Sequence, residues 1–93
     1  MVARVIQIQL NIPGALSLKD KRQVMQSLLS KVRQKFNVSV IESDFQNQWS
    51  HAELGLAFLA ANMRQLEQIE QSIVTYIENN YPIEINQILV TEC

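Results

Sequence analysis

Hydrophobic and polar positions alternate along the first stretch of the chain. Val2, Ile6, Ile8 and Leu10 fall on one face, and Gln7, Gln9 and Asn11 on the other. A period of two predicts a strand over residues 2–11. Ile12-Pro13-Gly14 stops it, because proline has no amide hydrogen to donate and glycine relaxes the backbone. The period then changes. Between Ser17 and Phe36, the side chains of Leu18, Met25, Leu28, Leu29, Val32 and Phe36 cluster within roughly 100° of arc at about 100° per residue, which predicts an amphipathic helix. Ser17 followed three residues later by Asp20 is a variant capping box, with Asp in the usual place of Glu or Gln.

Asn37 opens a turn into Val38–Phe45, whose Val, Ile and Phe content reads as a second strand. Gln46–His51 is polar and turn-like. Ala52–Ala61 reads as a third strand, with Leu54, Leu56 and Phe58 on one face. Its other face, Gly55, Ala57, Leu59 and Ala61, is also uncharged, which suits a central position in a sheet. The same run contains good helix formers, so propensity competes with pattern here. Asn62 with Gln65 repeats the cap signal, and Leu66, Ile69, Ile73, Tyr76 and Ile77 form a second helical stripe. Pro82 ends that helix by disfavouring helical backbone at Tyr81. Residues 83–91 read as a last strand. With no linker or low-complexity tract, residues 1–93 are expected to form a single domain.

The predicted order is β-α-β-β-α-β. Two helices with one apolar stripe each are buried best on one face of a sheet. Right-handed connections then give an α+β ferredoxin-like sandwich: a four-stranded antiparallel sheet, strands 1 and 3 central, both helices on one face. The opposite face stays bare, and Ala3, Val5, Ala57 and Leu59 contribute apolar surface to it. Self-association there, as a homodimer, or through an edge strand is the expected quaternary arrangement.

Composition changes this picture little, and charge changes it more. Hydrophobic content of 47% with 18% charged residues is ordinary for a globular chain. No apolar run approaches the ~18–20 residues of a membrane span. MVARVIQIQL is broken by Arg4, Gln7 and Gln9, so no signal-peptide core is expected. The single cysteine, Cys93, has no intrachain partner, which fits a reducing cytoplasm and leaves no Cys-based metal or redox site. Net charge is −1, yet residues 1–36 hold seven basic residues and one acid, whereas residues 37–93 hold one basic residue and eight acids. Such a dipolar protein can offer a positive face to an anionic partner.

Six of the eight basic residues lie between Ser17 and Phe36. On a helical wheel Lys19, Arg22, Gln26 and Arg33 fall within roughly 60° and form a row, while Lys31 and Lys35 sit on the opposite flank. Lys and Arg spaced along one flank suit the phosphate oxygens of a nucleic-acid backbone, to which they donate without reading bases. A protein contact, or solvation of the helix, uses the same residues. Lys21, Lys31, Lys35 and Trp49 are secondary contact candidates. A tryptophan in a polar turn either tucks over the sheet end or meets a partner.

Other activities of this topology lack their residues. The first loop has no CxxC for a metal, there is no glycine-rich anion loop with an arginine, and the central strands place no aromatic on the bare face. His51, near Glu42, Asp44 and Glu53 in sequence, has no nucleophile and no second histidine beside it. No catalytic residue, cofactor or metal is therefore expected.

Pro13-Gly14, then SLKDKR from Ser17 to Arg22, then KFNVSV from Lys35 to Val40 with Glu42, and a turn ending in Trp49 resemble the YlxP-like family of small bacterial proteins. The resemblance covers nearly the whole chain. It implies a ferredoxin-like fold and a cytoplasmic protein encoded among translation and ribosome-maturation genes, hence an RNA or ribosome-linked role. It brings no catalytic residues with it.

Overall fold

A computed structural model describes residues 1–92, and the elements follow the predicted order. They are β1 (Val2–Asn11), α1 (Leu18–Lys35), β2 (Ser39–Asp44), β3 (His51–Ala60), α2 (Met63–Asn80) and β4 (Glu84–Glu92). The four strands make one antiparallel sheet in the order β2-β3-β1-β4, with β1 and β3 central. This is the α+β ferredoxin-like arrangement.

The β1–β3 ladder runs without a break from Val2 opposite Ala60 to Asn11 opposite His51. That pairing is why residues 51–60 are a strand in spite of their helix formers: a full ladder outweighs propensities of a few tenths of a kcal/mol per residue. The register shifts between Glu42 and Asp44 in the β2–β3 pair, and between Gln9 and Leu10 in the β1–β4 pair.

Both helices begin in the same way. Ser17 Oγ accepts from the Asp20 amide at 3.2 Å, and Asp20 Oδ2 accepts from the Leu16 amide at 3.0 Å. Asn62 Oδ1 accepts from the Gln65 amide at 3.0 Å, and Gln65 Oε1 from the Ala61 amide at 3.0 Å. Each cap thus satisfies amides that the first helical turn leaves without partners.

The helices cover one sheet face. Ile6, Ile8 and Leu10 of β1 and Leu54, Leu56 and Phe58 of β3 are buried against Met25, Leu28 and Val32 of α1 and Leu66, Ile73 and Ile77 of α2. Burying each of these side chains stabilises the fold by roughly 1.5–3 kcal/mol before chain entropy is subtracted. Phe36 and Tyr76 join the helices edge to face, with ring centroids 5.8 Å apart.

Two cations sit among these apolar residues. Arg4 shares the core-facing side of β1 with Ile6, and its Nη1 lies 3.2 Å from Glu70 Oε1 of α2. Lys21 falls inside the apolar stripe of α1 and is 1% exposed, with Nζ 3.0 Å from Glu42 Oε2 of β2. Each helix is thereby tied to the sheet by a cation and a carboxylate on different elements. The expectation for Cys93 lies outside the described residues.

Candidate anion-binding surface

The exposed charge of α1 follows from how the helix is seated. Its outer flank carries Lys19, Arg22, Gln26 and Arg33, all exposed. Arg33 Nη2 donates to the Val40 carbonyl at 2.8 Å, so this flank borders the sheet edge formed by β2. On the other flank the Lys35 ammonium lies 5.2 Å from the centroid of the Tyr76 ring, and Ser27 Oγ is 3.2 Å from Tyr81 Oη. That flank faces α2. Lys31 and Lys35 are exposed there, separate from the row.

At 1.5 Å rise per residue, Lys19 and Arg33 are about 21 Å apart along the axis. Among the described residues the ion pairs are Arg4–Glu70 and Lys21–Glu42, so no carboxylate neutralises Lys19, Arg22 or Arg33. Arg33 is partly engaged. Its bond to Val40 covers a carbonyl on an edge strand, which also blunts that edge toward unwanted pairing.

Lys21 leaves the set of contact candidates. Its ammonium points into the molecule, where Glu42 and the Phe45 carbonyl receive it, and solvent does not reach it. The helical wheel contained the signal, since Lys21 falls between Leu28 and Val32 in angle and therefore in the middle of the apolar stripe. Arg4 was legible in the same way, from its parity with Ile6 and Ile8.

The Lys21 contact also positions the β2–β3 hairpin. Phe45 adopts φ 62°, a left-handed conformation uncommon for a residue with a side chain. Its carbonyl accepts from both Lys21 Nζ and the Gln48 amide, the latter at 3.0 Å. The Ser50 carbonyl accepts from the Ile12 amide at 2.9 Å, joining the hairpin to the segment that leads into α1. Trp49 projects from this anchored turn and is 53% exposed, so it is not tucked over the sheet end. Its indole N–H has no partner among the described residues.

The residues near His51 do not converge on a reaction centre. His51 Nδ1 is 2.8 Å from Ser50 Oγ and its ring meets Phe45 edge on, whereas Glu42 turns inward to Lys21 and Asp44 Oδ1 accepts from the Phe45 amide at 2.8 Å. Among the described residues no three His, Cys, Asp or Glu side chains group as metal ligands. No helix among the described residues is long and apolar enough to cross a membrane.

The bare sheet face has an apolar periphery and a polar centre. Ile41 and Leu59 are 57% and 59% exposed, and Leu89, opposite Gln7, adds to them. In the centre the Glu53 carboxylate is 4% exposed and accepts from Gln9 Nε2 at 3.0 Å, Ser43 Oγ at 2.9 Å and Gln7 Nε2 at 3.4 Å. Pattern reading placed Ala57 and Leu59 on this face but overlooked Ile41 and Leu89, because single apolar residues on edge strands carry no period.

Residues 4–90 match the family model described as "Protein of unknown function (DUF503)". The chain is also 35% identical over 68 residues to "Uncharacterized protein YlxP" of Bacillus subtilis (strain 168), covering 73% of this chain and 74% of that protein.

Proposed function

The chain belongs to the DUF503 family, and from that premise we propose that it is a non-catalytic cytoplasmic protein that binds RNA, as displayed on a ribosomal particle, along the outer flank of α1. One observation carries this reading. Lys19, Arg22 and Arg33 stand exposed together beside the β2 edge, and none has a carboxylate partner among the described residues. The chain holds nine acids against eight bases, so a row left without one is a departure from the mixed charge that keeps an ordinary surface soluble. Phosphate oxygens are the complementary partner, and contacts of this kind position a strand without reading its sequence.

The test is a triple charge reversal, Lys19→Glu, Arg22→Glu and Arg33→Glu, followed by cosedimentation with ribosomal subunits at low and at physiological salt. The parent is expected to associate in a salt-sensitive way and the variant to remain in the supernatant. Equal association of the two would sink the reading.

A second reading concerns assembly. Exposed Ile41, Leu59 and Leu89 favour a second copy stacked on the bare sheet face. Four strands at about 4.8 Å spacing and about 30 Å length offer roughly 600 Å² of flat area per copy, close to the roughly 800 Å² per partner of a standard interface.

A further inference from the structure

We propose that Trp49 is a base-stacking platform, and that the RNA segment this surface takes is single-stranded, with phosphates on Lys19 and Arg22 and an unpaired base on the indole. The inference rests on the reading of the α1 row as an RNA contact and adds the class of RNA. Three structural facts bring the groups together. The Lys21 ammonium reaches the Phe45 carbonyl, so the first turns of α1 and the hairpin meet within the length of one lysine side chain. Lys19 and Arg22 are exposed in the first turns of α1, on the flank whose Arg33 reaches Val40 of β2, the strand that runs into the hairpin. The Ser50 carbonyl, next in sequence to Trp49, is held by the Ile12 amide at 2.9 Å, so the turn that carries the indole is anchored at both ends.

A half-exposed indole on an anchored turn has lost its freedom to bury itself and keeps a flat apolar face toward water. Burial is what an isolated surface tryptophan gains from a partner, and a nucleobase supplies a face of matching size and chemistry. A paired duplex hides its base faces in the stack, so it can offer phosphates to the row but nothing to Trp49. The neighbouring Asn47 and Gln48 are exposed, and neither side chain has a partner among the described residues, which leaves amide donors and acceptors for a base edge. Asp20 and Asp44, two of the acids at this end, each already accept an amide of their own turn.

Trp49 is the chain's one tryptophan, so its emission reports on this site alone. The experiment titrates the protein at low salt with polyuridylate, with a duplex RNA of equal phosphate content, and with polyglutamate. A parallel titration follows the anisotropy of a labelled oligouridylate with the parent, Trp49→Phe and Trp49→Ala. Polyuridylate is expected to quench the emission, while duplex and polyglutamate leave it unchanged. Trp49→Ala is expected to weaken oligouridylate binding on the order of tenfold, and Trp49→Phe less, at an unchanged unfolding midpoint. Oligouridylate binding with unmoved emission, and a Trp49→Ala affinity within about twofold of the parent, overturns the stacking role and leaves the row reading intact. Quenching by polyglutamate as strong as by polyuridylate overturns it in favour of an acidic protein partner. Failure to bind any polynucleotide overturns both readings together.

Discussion

Lys21 Nζ of α1 and Glu42 Oε2 of β2 lie 3.0 Å apart on the sheet face that the helices cover, with the lysine side chain 1% and the glutamate 22% exposed. This pair divides the six cations of the basic segment into one that holds the fold and five that face water. Arg4 and Glu70, at 3.2 Å, make the corresponding tie between β1 and α2. Such pairs give little net stability over apolar side chains of equal volume, since removing two charges from water costs about what their attraction returns. What they add is position: Lys21 reaches one register of the hairpin, and Trp49 goes where the hairpin goes.

Removing Lys21 is expected to be costly. Lys21→Ala leaves Glu42 facing an apolar interior without its cation, and the loss should approach about 3 kcal/mol, the lower end for a buried pair because Glu42 is partly hydrated. Lys21→Met keeps most of the packing and should cost less than the alanine variant. Urea unfolding measures both. A loss below about 0.5 kcal/mol for the alanine variant would refute the structural role assigned to the pair.

Salt dependence offers a measure of the contact itself. If Lys19, Arg22 and Arg33 each neutralise one phosphate of a single strand, log K should fall with log salt at a slope near about −2. Arg22→Ala should reduce that slope by about 0.7 and weaken binding to all sequences alike. Arg22→Ala leaving the slope unchanged would remove that residue from the contact.

The helix caps should behave as purely structural features. Ser17→Ala and Asn62→Ala each remove a side-chain acceptor for an orphan amide, with an expected cost of about 1 kcal/mol apiece. The two sites are on different helices and share no partner, so the double variant should lose close to the sum. Thermal or urea unfolding gives the stability. RNA association of Ser17→Ala, measured under conditions where it is folded, should match the parent, and a selective loss of binding would show that the SLKDKR start does more than cap.

The bare sheet face has its own signature in solution. The parent is expected to sediment as a dimer at micromolar concentration, and Ile41→Glu with Leu59→Glu as a monomer, because carboxylates there would meet apolar surface in the partner. Both side chains are exposed in the single chain, so the monomer's stability should change little. A parent that sediments as a monomer at the same concentration excludes this assembly.

Most of the fold was legible because it is written in local periods. Ile6, Ile8 and Leu10 repeat every second residue, Met25, Leu28 and Val32 every third or fourth, and the Ser17 and Asn62 caps mark where one period gives way to the other. Element order and a two-layer architecture follow from these signals. The residues that escaped notice each had a partner far away in sequence. Arg4 and Lys21 interrupt apolar faces that their parity and angle had already assigned to the core. The carboxylates of Glu70 and Glu42, brought opposite them by the chain's return, help explain how they are tolerated.

The amino-acid sequence by itself determined the α+β class, the two amphipathic helices, the bare sheet face and a basic segment opposite an acidic remainder. Periodicity and composition are sums over neighbouring residues, and no tertiary contact is needed to read them. Tertiary structure alone decided which cations of that segment face water, that the row borders the β2 edge, and that Trp49 stands exposed on the hairpin. Those properties depend on distances between elements, here set by the Lys21 contacts to Glu42 and Phe45 and by the Arg33 bond to Val40, and distances of that kind have no period along the chain.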